Sequence, residues 1–291
     1  MTKRSLFIIP DPAAVPGGAR SGAERAAPSA PAHSVLAVLR EWLDALIIAS
    51  VLAMFVRLFI VELFKIPTGS MTPTLIGGRV ADVDYDRDGR KDLLLFLGEG
   101  DRPLLFLNDG RRLISKGRVD VGLGEVRSHL RHDHILVNKL AYWLSPPRRG
   151  DIVVFKVPPV IWQPDKPIYI KRCVGAPGDL LTFDPLGHLR ANGDTVLEPE
   201  FFRTQRYELS LPRLKSNQDP PEISYDVSRA DPTQRTIRGI QVPADKIYVF
   251  GDNTLSSQDS RYWGGVPLDN VKGRAFFRYY PFSEMRFLHG G

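Results

Sequence analysis

The run from Leu43 to Phe64, LDALIIASVLAMFVRLFIVELF, constrains this chain more than any other stretch. As a helix rising about 1.5 Å per residue, it is long enough to cross a hydrocarbon core of roughly 30 Å. The sequence therefore predicts one transmembrane helix over residues 43–64. Asp44 at one end reaches the headgroups, Arg57 can snorkel, and Glu62 falls near the interface. The competing reading is a buried helix of a soluble domain. A cleaved leader is disfavoured, because no A-x-A site follows. Upstream, residues 1–42 are rich in Ala, Pro, Gly and Ser and are expected to form a disordered tail. Lys3, Arg4, Arg20, Arg25 and Arg40 in that tail favour an N-terminus on the inner side of the membrane.

Everything after the helix, residues 65–291, has a β texture. Ile152–Phe155, Ile168–Val174, Lys246–Phe250 and Arg274–Tyr280 are short β-branched or aromatic runs bounded by Gly or Pro, hence strands. Residues 182–247 hold further short strands and several prolines without helical periodicity, which suits a peripheral β-region. The net charge of +6 is spread along the chain without a basic run, so nucleic acid is not an expected partner. Cys173 is the one cysteine, which excludes an intrachain disulfide and any metal site built from cysteine pairs.

Directly after the helix comes Ile66-Pro-Thr-Gly-Ser-Met-Thr-Pro-Thr-Leu75. Pro67 and Pro73 pin the backbone on either side of Ser70, and a serine so held at a membrane rim is a candidate nucleophile. Amide hydrolysis needs a base for its proton and donors for the oxyanion. Two kinds of base are available. His132 or His134 would give a serine–histidine site. Lys171, inside the apolar strand Ile168–Val174, would serve if burial kept its amine neutral. Strand alternation sends Lys171 and Arg172 to opposite faces, so one of them should face a core. On an edge strand both heads would instead reach solvent.

Residues 79–131 read as foreign to their surroundings. Asp84, Asp86, Asp88, Gly89 and Asp92 form a D-x-D-x-D-G-x-x-D loop, which can fold carboxylates around a hard cation such as Ca²⁺. It is not an EF-hand, since the twelfth position counted from Asp84 is Leu95. With DLLLFLG and PLLFLNDG after it, the segment resembles a single FG-GAP or VCBS-type repeat: strand, calcium turn, strand. One copy cannot close a propeller.

Four ordered segments carry a second resemblance. IPTGSMTPTL, Asp133–Tyr142 with GDIVVF, YIKRCVGAPGD, and GDNTLSSQDSRYWGGVP resemble the conserved boxes of bacterial type I signal peptidase, from about residue 43 to the C-terminus. That likeness implies an all-β catalytic core with a peripheral β-region, preceded by one transmembrane helix. It implies a serine endopeptidase that removes signal peptides from preproteins with small residues at −1 and −3. It needs no catalytic cofactor, its partners are preprotein signal peptides and the bilayer, and it sits in the bacterial inner membrane with its catalytic domain outside. By the same likeness Ser70 is the nucleophile and Lys171 the general base. Thr68 and the Ser70 N–H form the oxyanion hole, Ser257 orients the amine, and Asp252, Asp259 and Arg261 brace the site by charge pairing. Two departures stand out: the 79–131 insert, and Thr254-Leu255-Ser256 where charged and amide residues are usual. A reading from another class is a membrane-anchored calcium-binding interaction protein with a degenerate peptidase core.

Overall fold

The structure, a computed structural model, describes residues 35–98, 101–120, 126–157, 168–212, 221–226 and 234–288. The expected disorder of the tail therefore falls, for residues 1–34, outside the described residues. The chain divides into two units, 1–50 and 51–291, with the boundary inside the first helix.

That helix, α1, runs Val35–Phe55 and continues as one π-helical stretch, Val56–Ile60. Val35–Ile60 contains an 18-residue window of mean hydropathy 2.3 and is long and apolar enough to cross a membrane. The expected bounds of 43–64 need correction at both ends. The helix starts at Val35, and Val61–Lys65 is a strand, β1, antiparallel to β7 (His134–Asn138) with Val61 opposite Asn138 and Lys65 opposite His134. The sequence stays apolar through Phe64, but here the backbone N–H and C=O groups find partners on a neighbouring strand instead of one turn back.

β1 and β7 open an antiparallel sheet that continues through β18 (Val271–Tyr280), β8 (Ile152–Lys156), β9 (Ile168–Gly175), β16 (Lys246–Phe250) and the short β17 (Val266–Pro267), with β19 (Arg286–Phe287) paired to β18. β9 lies between β8 and β16, so it is a central strand, and its residues from Lys171 to Gly175 are buried on both faces. Val153, Phe155, Cys173, Ile247 and Val249 pack on one side; Ile66, Met71, Ile135, Val137, Ile152 and Val154 form a separate buried cluster. The peripheral region is a second sheet: β10 (Leu180–Phe183), β11 (Leu189–Ala191), β12 (Asp194–Thr195), β13 (Ser210–Pro212), β14 (Ile223–Asp226) and β15 (Gln234–Gln241), with the short helix α2 (Phe201–Thr204).

The insert is a third sheet. β2 (Gly77–Val83), β3 (Asp92–Phe96), β4 (Leu104–Asn108), β5 (Leu113–Arg118) and β6 (His129–His132) are all antiparallel, in the order β5-β4-β3-β2-β6. Each face has its own apolar set: Ile76, Val80, Leu93, Leu95, Leu104 and Phe106 on one side, Ala81, Leu94 and Leu105 on the other. The sheet leaves and rejoins the core at one point. Asp133 N–H donates to the Ile76 carbonyl at 2.8 Å, Ile76 N–H donates to Asp133 Oδ2 at 2.9 Å, and Ile66 N–H donates to the Asp133 carbonyl at 2.8 Å. Arg278 holds the buried Asp133 carboxylate at 2.7 Å.

Candidate active site

After β1 the chain stays extended through Thr68 (φ −130°, ψ 156°) and then closes into a single 3₁₀ turn, Gly69–Met71. Met71 is fully buried and anchors the turn in the core. Two bonds from Asn253 hold the turn from behind: its N–H donates to the Ser70 carbonyl and its side-chain amide to the Gly69 carbonyl, each at 3.1 Å. The Ser70 hydroxyl is left facing Lys171, whose Nζ lies 2.8 Å from Oγ and donates also to the Ile170 carbonyl at 3.1 Å. Ser70 and Lys171, far apart in sequence, meet because β9 runs beneath the turn.

The amine is buried, and among the described residues no carboxylate lies within ion-pair distance of it. Desolvation is the largest influence and pulls its pKa down to about 8, against the raising effect of Asp259 and Asp252 and with a further lowering from Arg261. Roughly a tenth of such amines are neutral at pH 7, against about one in 2,500 at the ordinary lysine value near 10.4. Each of the two carboxylates nearby is already engaged. Asp259 takes Arg261 Nε and Nη2 at 2.8 and 2.9 Å, and Asp252 takes Arg172 Nε and Nη2 at 2.9 and 2.8 Å. All four are buried.

Asp259 and Arg261, expected to brace the site, form one bidentate pair. Asp252 braces too, but through Arg172, a residue that sequence reasoning gave no role. Lys171 and Arg172 do lie on opposite faces, yet both are buried rather than one, because apolar clusters cover both faces of the sheet here. Arg172 is covered by the Phe201 ring, 4.0 Å from the guanidinium carbon. Its neighbour in an apolar strand was the available signal.

Thr68 Oγ1 lies 3.4 Å from Ser70 Oγ and makes no capping bond to the turn, so the hydroxyl is available to an oxyanion. Ser257 departs from expectation. Its Oγ is buried without a hydrogen-bond partner, so the bond to Lys171 is not formed. The side chain instead presses against Gly251, where an added Cβ would collide with Ser257 Oγ and lie 2.5 Å from the Ser70 carbonyl. Only glycine fits that crossing. The histidine route is not built: His132 Nδ1 bonds the Ile66 carbonyl at 3.0 Å and His134 Nδ1 faces the Tyr279 hydroxyl at 3.4 Å. Thr254, one of the departures noted above, is absorbed structurally, since Arg261 Nη1 donates to its hydroxyl at 2.7 Å.

In the insert, ligand oxygens of Asp84, Asp86 and Asp88 come within 4.8 Å of one another at the exposed β2–β3 turn. Gly89 has φ +83°, as the sharp bend requires. Three carboxylates suit a hard cation, although Arg90 pairs with Asp88 and neutralises part of that charge. Asp92 needs correction as a ligand. It is buried outside this group, and its two oxygens accept the N–H groups of Tyr85 and Asn108 at 2.8 Å each, tying β3 to the turn and to β4.

A polar cleft of about 1430 Å³ separates the Asn108–Ser115 edge of the insert from α2 and from Asp252–Leu255. Neither Ser70 nor Lys171 lines it. Arg112 Nη1 reaches across it to Thr204 Oγ1 at 3.1 Å.

A family model described as "Signal peptidase, peptidase S26" matches residues 39–96 and 119–280, leaving 97–118 inside the inserted sheet unmatched. A signal peptidase I of Bacillus caldolyticus is 36% identical over 153 residues, covering 53% of this chain and 72% of its own. One from Leptolyngbya laminosa is 31% identical over 157 residues, covering 53% of this chain and 63% of its own. A signal peptidase I of known structure from Enterococcus faecalis aligns with 44% of this chain and 95% of its own, at 25% identity and a TM-score of 0.28.

Proposed function

The chain belongs to the signal peptidase family, peptidase S26, and from that membership we propose how its residues cut a signal peptide from a preprotein. It is a serine peptidase with a mainly β catalytic core and a candidate membrane anchor. The neutral Lys171 amine takes the proton of Ser70 Oγ as that oxygen attacks the scissile carbonyl. The developing oxyanion accepts hydrogen bonds from the Thr68 hydroxyl and the Ser70 N–H. Lys171 returns the proton to the leaving amine, then activates the water that hydrolyses the acyl-enzyme. Arg172–Asp252 and Arg261–Asp259 hold the surrounding backbone, and no metal enters the reaction.

The single observation that carries this mechanism is the 2.8 Å contact between a buried lysine amine and Ser70 Oγ. An intact pair of this kind leaves no support for a degenerate peptidase core. The substrate is an extended signal-peptide end, bound by strand addition beside β1 and beside residues 168–171 of β9, which β16 does not pair, with small pockets selecting residues at −1 and −3. The helix is a single-pass anchor in the bacterial inner membrane, with the catalytic domain outside; the basic residues ahead of it support that direction. Purified protein incubated with a preprotein should release the mature chain with or without EDTA, and the Ser70→Ala form should not. Protease added to intact spheroplasts should reach the catalytic domain; full protection would reverse the orientation.

A further inference from the structure

The inserted sheet reaches the nucleophile directly. A Cβ built on Gly69 would fall 2.5 Å from Leu95 Cδ2 and 2.9 Å from Cδ1. The two methyls of Leu95 therefore rest on the Cα of the residue immediately before Ser70. Leu95 itself is buried in the face of the insert that holds Ile76, Val80, Leu93, Leu104 and Phe106. The other side of the same turn is equally close: a Cβ on Gly77, the first residue of β2, would fall 2.5 Å from the Ile66 carbonyl and 2.7 Å from Thr68 N. Thr68 and Ser70 are thus packed between the start of β2 and the side chain of β3.

We propose that Leu95 is a positioning residue for the peptidase reaction, acting from the insert through Gly69 on the direction of Ser70 Oγ. The inference rests on the Ser70–Lys171 mechanism above. A 3₁₀ turn of one step has little rigidity of its own. Asn253 fixes its carbonyls from behind, Met71 fixes its far end, and Leu95 closes the face at Gly69. Interior packing of this kind has no slack, so removing Cγ and its two methyls leaves a gap into which the turn can relax. A shift of about 1 Å at a reacting atom costs on the order of 100-fold in rate. The insert is then part of the apparatus that aims the nucleophile.

The contact predicts a pattern of substitutions in the full-length protein. Leu95→Ala should lower kcat on a preprotein about 10- to 100-fold with KM nearly unchanged. Gly69→Ala should do the same by collision. The double variant, in which the new methyl occupies the room vacated, should recover much of the lost rate. Leu95→Met, close in volume, should stay near wild type. The control is Leu94→Ala, next in the chain, as deeply buried, and on the opposite face of the insert. It should lower the melting temperature comparably and leave kcat alone. Equal losses of kcat in Leu94→Ala and Leu95→Ala would overturn the proposal, as would a double variant no better than its worse parent. Full activity of Ser70→Ala would instead overturn the mechanism beneath it.

Discussion

Around the Ser70–Lys171 pair, Arg172, Asp252, Asp259 and Arg261 are buried and joined in two bidentate pairs, while at the tip of the insert Asp84, Asp86 and Asp88 stand in solvent. Both regions gather charge, and burial separates what they can do. In the first, the only cation without a carboxylate against it is the lysine, and desolvation turns it towards the neutral, basic form. In the second, water solvates each carboxylate, so the three act together only if a cation collects them. The chemistry of a charged cluster follows from which member is denied both water and a partner.

The largest effects come from removing that member or its target. Ser70→Ala and Lys171→Ala should each abolish preprotein cleavage while leaving the circular dichroism of the folded protein unchanged. Turnover within a few-fold of wild type in either variant would contradict the mechanism. Thr68→Val, nearly isosteric, should lower kcat on the order of 10²- to 10³-fold with KM little affected. Thr68→Ser should keep most of the activity, and an active valine form would take Thr68 out of the oxyanion hole.

The paired charges should fail in another way. Arg172→Met strands Asp252 without its partner in a buried site and should destabilise the fold by about 3–5 kcal/mol. Denaturant titration measures this, and a loss below ~1 kcal/mol would mean that Asp252 has found water. The unpaired amine sharpens the comparison through pH. Because the base must be neutral, kcat/KM should rise with pH and level off above a limb near 8. A limb at the ordinary lysine value of about 10.4 would show a solvated amine. The smallest effect belongs to the tip. Calcium should slow proteolysis of the insert modestly, Asp86→Ala should cancel that protection, and calorimetry without binding up to millimolar calcium would dismiss the site.

Much of this was legible in the sequence, for identifiable reasons. The proline-flanked Ser70 and the lysine inside an apolar strand are candidates on local grounds, while the choice of Lys171 over His132 or His134 rests on the resemblance of the four segments to signal peptidase. Strand alternation could place Lys171 and Arg172 on opposite faces, but not say that both faces are covered, since what packs on each face of a sheet is a long-range property. The same limit hid the Arg172–Asp252 pair. Val61–Phe64 is as apolar as a membrane helix, and only its register with β7 makes it a strand. Asp92 carries the spacing of a ligand, yet its oxygens are spent on two backbone N–H groups. Ser257 keeps its place in the motif without making the expected bond.

The junction of the insert at Ile76 and Asp133 also bears on the order in which the chain assembles. β1 must find β7 across every residue of the inserted sheet, and that pairing fixes the strand leading to the catalytic turn. Loop-closure entropy rises only logarithmically with length, by about 0.6 kcal/mol per doubling, but non-local pairing still slows folding. The antiparallel strands β2 to β5 are each other's neighbours in sequence and can zip first. Once β6 joins them, Ile76 and Asp133 are brought together and the search between β1 and β7 shrinks to a short reach. The insert would then serve as a folding clamp for the core, and weakening the β3–β4 pairing, for example by Leu104→Ala, should slow refolding of a sheet to which that residue does not belong.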